Sequence, residues 1–316
     1  MLHKGCRGAI PTFLRFVLHF SGFPLHFSGV IHRQQIYGLG LFLHVMSPRR
    51  NYRKVVGMKN KTDLKTAVPD RYVTLSNVLV RAAQGLTLAE KRIMSACIAQ
   101  LDSKRMPDIY KPLTVKLYAM DFAETFGIHP DTAYDELQSA AKVLRDRLIR
   151  YENPSAPKSR RVVEMRWVGR VTYAKGEGWL ELAFWHEVVP HLVMLREKFT
   201  SYRLSQAAGL RSLYSWRLLE LLMQFRSTGF LHITIENFWA AVEAPASCRN
   251  DFFNLRKRVI EPAVKELGDK DGLNIEWKPV KEGRKVTALM FLFEPSKQGA
   301  LDLSDSGPES LEYVSE

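Results

Sequence analysis

The sequence predicts an α+β chain in which one order of elements occurs twice: a helix, a strand, two helices and a β-hairpin. Two observations support this prediction. Apolar residues recur at helical spacing, or alternate, in the same succession in both halves of the chain. Residues 113–117 also align with residues 231–235, and Leu137 aligns with Leu255 at the same offset. Because this order is the winged helix-turn-helix layout, we expect two tandem winged helix-turn-helix domains related by internal duplication.

In the first half, a helix over residues 86–101 is predicted to open with a capping box between Thr87 and Glu90. A short helix over residues 121–126 is expected to end at Gly127, since glycine readily adopts the left-handed conformation of a helix end. Pro130 suits the first turn of a long helix that runs to residue 150. The predicted strands are residues 113–118, 162–173 and 179–184.

The second half repeats this order, with helices over residues 210–225, 236–242 and 247–267 and strands over residues 231–235, 273–280 and 286–293. The long helix has one apolar face, formed by Phe252, Leu255, Val259, Ala263 and Leu267. Pro262 lies inside this helix. We expect a bend there, because proline removes a hydrogen bond and clashes with the preceding turn.

Four regions are expected along the chain: an extension over residues 1–57, a first domain over 72–195, a second over 196–295 and an acidic, disordered tail over 296–316. The first 57 residues contain eight Lys or Arg and no Asp or Glu, and they lack a clean apolar span of about 20 residues. We expect them to be disordered or translated from upstream sequence, with Met58 as the natural start.

The chain has a formal net charge of +13 and an isoelectric point of about 9.6, which suggests a polyanionic partner. Because residues 1–57 supply more than half of this charge, the argument rests on local clusters of cations. The three cysteines, Cys6, Cys97 and Cys248, are isolated. They indicate neither a disulfide framework nor a zinc site, so we expect a bacterial cytoplasmic protein associated with nucleoid or plasmid DNA.

Catalytic motifs fail on their spacing. His186 and Glu187 would begin a zinc-protease motif, but Pro190 occupies the place of its second histidine. The sequence contains no P-loop, and no His-x-His pair accompanies a tyrosine as in rolling-circle nickases. We therefore expect no enzymatic activity, no catalytic residue, no metal and no cofactor. A nickase would be recognised by metal-dependent strand cleavage.

A DNA interface is predicted on the polar face of the long helix and on the hairpin after it. Arginine, lysine and asparagine bind phosphate oxygens and base edges, and a helix fits the major groove. The candidate residues are Arg249, Asn250, Asn254, Arg256, Lys257, Arg258, Lys281, Arg284 and Lys285. Auxiliary contacts are expected in the first domain from Lys142, Arg145, Arg160 and Arg161. The alternative for both groups is an ordinary solvated face.

Three segments in fixed order resemble the iteron-binding Rep proteins, the plasmid replication initiators of the theta type that are built from two winged-helix domains. The resemblance covers about residues 72 to 295. The segments are NVLVRA (77–82) with LTLAEKRI (86–93), FTSYRL (199–204) with SLYSWRLLELL (212–222), and FFNLRKRVIEPA (252–263).

The resemblance implies that the second domain reads directly repeated origin sites in double-stranded DNA, with Arg256 on phosphate. It also implies that the first domain adds DNA contacts and supplies the interface of a repressing homodimer. Opening of the origin, recruitment of the host initiator and replicative helicase, and autorepression follow from the resemblance alone. A dimeric winged-helix transcriptional repressor without initiator activity is the alternative, and no membrane partner is expected.

Overall fold

The computed structural model describes residues 68–108, 110–152, 162–173 and 176–294. The predictions for residues 1–57 and 296–316, and those for Arg160 and Arg161, lie outside this part of the chain. Within the described ranges, no helix has the length and apolar character needed to cross a lipid bilayer.

The first winged-helix unit contains the helix, strand, two helices and hairpin that were predicted. Its elements are β1 (Tyr72–Ser76), α1 (Asn77–Arg81), α2 (Leu88–Ile98), β2 (Thr114–Tyr118), α3 (Ala119–Phe126), α4 (Pro130–Val143), β3 (Leu148–Glu152), β4 (Val162–Arg166), β5 (Val168–Tyr173) and β6 (Trp179–Phe184). The capping box between Thr87 and Glu90 is present at the start of α2. Gly127 ends α3 with a φ of 60°, and Pro130 opens α4. These local signals therefore set the helix ends as expected.

Two predicted elements of the first half are wrong. The long helix stops at Val143 instead of reaching residue 150, because residues 148–152 form strand β3. Ile149 is buried there, and Arg150 exchanges two backbone hydrogen bonds with Ala83. The single strand over residues 162–173 divides at Trp167, whose buried indole donates to the carbonyl of Gln84. The chain thus pairs with β3 before this residue and with β6 after it.

The second unit repeats the same order. Its elements are β7 (Phe199–Arg203), α5 (Leu204–Ala208), α6 (Leu213–Met223), β8 (Phe230–Thr234), α7 (Ile235–Val242), α8 (Ala246–Arg249), α9 (Phe252–Leu255), a π-helical turn (Arg256–Ile260), α10 (Glu261–Asp271), β9 (Asn274–Glu282) and β10 (Lys285–Glu294). Its sheet has the order β8-β10-β9, which matches the order β2-β6-β5 of the first unit. The predicted repetition of two winged-helix units is therefore confirmed.

The two units share a core. Strand β1 pairs antiparallel with β7, so that the strands preceding each unit form one ribbon with Tyr72 opposite Arg203. Beneath this ribbon, Trp216 and Tyr202 are fully buried, as the spacing of these aromatic residues predicted. At the end of α7, the carboxylate of Glu243 accepts the backbone N–H groups of Gln84 and Gly85, each at 2.9 Å. A loop of the first unit is thereby capped by the second unit.

Candidate nucleic-acid interface

The predicted basic helix begins later than expected. Asn250 and Asp251 separate α8 from α9, and the Asp251 carboxylate accepts the backbone N–H of Phe253 at 2.8 Å, as an N-cap does. Arg249 and Asn250 therefore precede the main helix and do not lie on its face. Both remain exposed, although the Nε of Arg249 donates to the carbonyl of Ala244 at 2.6 Å. The prediction of an unbroken helix from residue 247 is wrong at this point.

The disturbance expected at Pro262 takes the form of a π-helical turn just before it. Pro262 lies in the first turn of α10, where its missing N–H costs least. In a regular helix its ring would clash with the carbonyl of Arg258, and the wider π turn relieves that crowding. The consequence is local: one helical turn presents three consecutive cations at a point where the backbone changes pitch.

This cationic turn has an exposed side and a buried side. Val259 and Ile260 are buried in the core, as are three of the other positions of the predicted apolar face, Leu255, Ala263 and Leu267. The exposed side consists of Arg256, Lys257 and Arg258. Because the buried side chains fix the rotation of the helix about its axis, the three cations face solvent together.

The three cations differ in their surroundings. The Nε of Arg256 lies 2.7 Å from a carboxylate oxygen of Glu261, five residues along the chain, a spacing that the π turn brings together. The ammonium of Lys257 lies 5.9 Å from the ring centroid of Phe253. Arg258 makes no hydrogen bond or ion pair within the described residues. Lys257 and Arg258 are thus the cations of this turn whose donors are open to an incoming ligand.

Asn254 is also held in place. Its side-chain amide donates to Asp251 at 2.7 Å, through the carboxylate oxygen that does not cap α9. The carbonyl oxygen and the second amide hydrogen of Asn254 are left available, which are the groups needed for a paired contact with adenine.

The hairpin β9–β10 presents three further cations at its tip: Lys281, Arg284 and Lys285, all exposed, which we call the wing cations. Glu282 and Lys285 are paired across the strands, so Gly283 and Arg284 form a two-residue turn. Gly283 has a φ of 62°, as the first position of a type II′ turn requires. A tight turn of this kind places the wing cations within a few residues of one another.

The candidate cations of the first unit are less uniform. Lys142, in the last turn of α4, is exposed, and Arg145 is exposed with its Nε 3.7 Å from Asp146. Arg147, which lies close to them in sequence, is committed to the interior: its guanidinium donates to Glu90 at 2.7 Å, and this hydrogen bond raises the pKa of Arg147. Lys142 and Arg145 therefore form a smaller basic patch than the sequence indicated.

Among the described residues, no group of three or more His, Cys, Asp or Glu side chains is arranged to hold a metal ion. His191, the partner considered for a zinc motif, bonds instead to the hydroxyl of Ser76 through Nδ1 at 2.9 Å, and burial lowers its pKa. Cys97 and Cys248 are buried and unpaired.

One interface residue was not predicted from the sequence. Phe253 is 62% exposed and stands among the cations and amides of the basic face. The signal was present in the sequence, because the apolar face needs only Phe252 of the Phe252–Phe253 pair, which leaves the second aromatic ring without a place in the core.

Two family profiles match the chain in the order of its winged-helix units. The first, described as Initiator Replication protein, WH1, matches residues 72–223, and the second, described as Initiator Rep protein, WH2, matches residues 234–293. Together they cover more than half of the sequence. The chain belongs to the initiator replication (Rep) protein family. The prediction of a plasmid replication initiator of the Rep family with two winged-helix domains is thereby confirmed.

Individual relatives agree with this assignment. The Rep chain is 25% identical over 227 residues to an uncharacterized 27.6 kDa protein of Escherichia coli, a match covering 69% of this chain and 93% of that protein. It is 28% identical over 108 residues to a probable replication protein of Bifidobacterium longum, covering 34% of this chain and 36% of that protein. A solved structure of the Pi initiator protein in complex with iteron DNA is similar with a TM-score of 0.62 and 23% identity, covering 72% of this chain and 99% of that one. At this identity the structural likeness establishes the fold.

Proposed function

We propose that this protein initiates plasmid replication by binding directly repeated sites, or iterons, in double-stranded DNA through its second winged-helix unit. The observation that carries the proposal is the exposed cationic turn at residues 256–258, which lies on the helix that precedes the wing. The Pi initiator, which shares the fold, was solved in complex with iteron DNA. We extend that class of ligand to this chain.

Within this proposal the residues divide their work by their surroundings. Lys257 and Arg258 have open donors and are assigned to base edges, where a bidentate contact with guanine discriminates best. Arg256 already shares its Nε with Glu261 and is assigned to phosphate, together with the wing cations. If about six phosphates are neutralised, affinity should fall roughly a thousandfold between low and moderate salt.

The first unit is assigned a supporting role. Lys142 and Arg145 are proposed to touch phosphate beside the main site, and Arg160 and Arg161, outside the described residues, are proposed to extend that contact. The same unit would supply the interface of a homodimer that represses its own gene. Opening of the origin and recruitment of the host initiator and replicative helicase complete the proposal, and they rest on the resemblance to Rep proteins.

The decisive experiment is selection of bound duplexes from a random DNA pool with the full chain. Recovery of one asymmetric motif, which binds additional monomers when repeated in tandem, supports the initiator. Recovery of a palindrome would replace it with the dimeric repressor, because the symmetry of a dimer is mirrored in its site. No enriched motif would contradict sequence-specific binding altogether.

Substitution separates base contacts from phosphate contacts. Lys257→Ala or Arg258→Ala should weaken binding to the selected motif by about 1 to 3 kcal/mol and leave random DNA much less affected. Lys265→Ala is the matched control, because Lys265 is an exposed lysine of α10 outside the cationic turn. Equal losses on specific and random DNA would place the substituted side chain on phosphate.

A further inference from the structure

Phe253 occupies an unusual position for a large apolar side chain. It is 62% exposed, whereas its neighbour Phe252 packs against the core. Lys257, four residues on, has its ammonium 5.9 Å from the Phe253 ring centroid, so the ring and the cation share one exposed face. An apolar ring is thus presented on the face of the helix that is proposed to enter the major groove.

The backbone at this position is fixed by the same carboxylate that orients Asn254. One oxygen of Asp251 accepts the backbone N–H of Phe253 at 2.8 Å, and the other accepts the amide of Asn254 at 2.7 Å. The ring and the amide are therefore held as adjacent groups before any DNA is bound. Such preorganisation reduces the entropy lost on binding.

The major groove offers one apolar group to such a ring. Base edges there present hydrogen-bond donors and acceptors, and the exception is the C5 methyl of thymine. Packing the ring on a polar edge would strip water from groups that the ring cannot satisfy. Packing it on the methyl buries apolar surface on both sides.

We infer that Phe253 is a specificity residue that reads the C5 methyl of one thymine in the recognised repeat. This inference rests on the proposed function, since it assumes that the basic face enters the major groove. It adds that the repeat contains a thymine at one required position, next to the base that Asn254 contacts.

The test removes only the methyl group. Each thymine of the selected repeat is replaced in turn by deoxyuridine, and affinity for the full chain is measured by fluorescence anisotropy. The wild-type protein should lose about fourfold at one position, which corresponds to one buried methyl group, and should be insensitive elsewhere. Phe253→Ala should bind the thymine duplex about fourfold more weakly and show no further loss with deoxyuridine at that position.

Two controls accompany this test. Phe253→Leu keeps an apolar side chain and should retain sensitivity to the methyl group. Met120→Ala removes a similarly exposed apolar side chain, 64% exposed, from the first unit and should change neither affinity nor sensitivity.

The inference is overturned if no thymine is sensitive in the wild-type protein, or if Phe253→Ala retains the sensitivity. It is also overturned if Phe253→Ala weakens all duplexes equally, because the ring would then act as a wedge or a stacking platform. Failure of the proposed function would be seen earlier, as the absence of any selected repeat.

Discussion

Glu220 is the centre of a buried ion cluster that joins the two units, and its neutralisation should be severely destabilising. Its carboxylate accepts hydrogen bonds from Lys91 at 2.6 Å, Tyr202 at 2.9 Å and Arg217 at 2.5 Å. The side chains of Glu220, Lys91 and Arg217 are at most 3% exposed. Arg217 also donates to the backbone carbonyls of Val80, Ala82 and Ala241 at 2.7 to 2.8 Å.

The magnitude follows from this burial. Glu220→Gln keeps the shape of the side chain but leaves Lys91 and Arg217 as buried cations without an anion. Breaking a buried pair by removing one partner costs about 3 to 5 kcal/mol, whereas breaking an exposed pair costs at most about 1 kcal/mol. Glu164→Gln is the matched control, because Glu164 also pairs with an arginine at 2.6 Å but both side chains are roughly half exposed.

The assay is urea unfolding followed by tryptophan fluorescence, to which Trp216 contributes through its hydrogen bond to Tyr202 at 2.9 Å. With a urea dependence of about 3 kcal/mol per molar, the midpoint should fall by roughly 1 to 1.7 M for Glu220→Gln. Adding Lys91→Met should restore part of the loss, since it removes one uncompensated cation. A loss for Glu220→Gln no larger than that for Glu164→Gln would refute the reasoning.

Three further predictions concern the wing, two glycines and pH. Replacing all three wing cations by alanine should lower the slope of log affinity against log salt by about 2 to 3, as measured by anisotropy on the selected repeat; an unchanged slope would remove them from the DNA interface. Gly283→Ala should cost roughly 1 to 2 kcal/mol from its φ of 62° alone, because the new Cβ meets no atom within 4 Å. Gly85→Ala should cost more by thermal unfolding, since its φ is 64° and its Cβ would lie 2.8 Å from the carbonyl oxygen of Leu148; equal losses would contradict this. Burial raises the pKa of Glu220, but Lys91 and Arg217 together lower it further, so that its net value lies below the ordinary 4.5. The stability that Glu220 contributes is therefore present above about pH 4.5 and lost as pH falls through the lower folded-state pKa, so the difference between wild type and Glu220→Gln should shrink in acid.

The interface residues were largely accessible from the sequence, because a helix that must bury one face has little choice about the other. Once Leu255, Val259 and Leu267 are assigned to the core, the cations between them must face solvent. The number of available donors was not accessible. Arg256 pairs with Glu261 only because a π turn brings them together, and Arg147 turns inward only because Glu90 lies across the fold.

What the sequence determined by itself was the order of elements and their local ends: the capping box at Thr87, the stop at Gly127 and the apolar faces of both halves. These features depend on residues a few positions apart, so pattern and propensity suffice. The tertiary structure decided wherever the partner is remote. Residues 148–152 have a helical pattern, yet they become a strand because β4 and the backbone of Ala83 satisfy their hydrogen bonds.

The same reason explains the core between the units. Tyr72 pairs with Arg203, and Lys91 meets Glu220, although more than a hundred residues separate the members of each pair. Each of these charged or polar residues, taken alone, fits a solvated surface. Only the packing of α2 against α6 removes water from Lys91 and Glu220, and in a medium of low dielectric the ion pair then becomes a requirement of the fold.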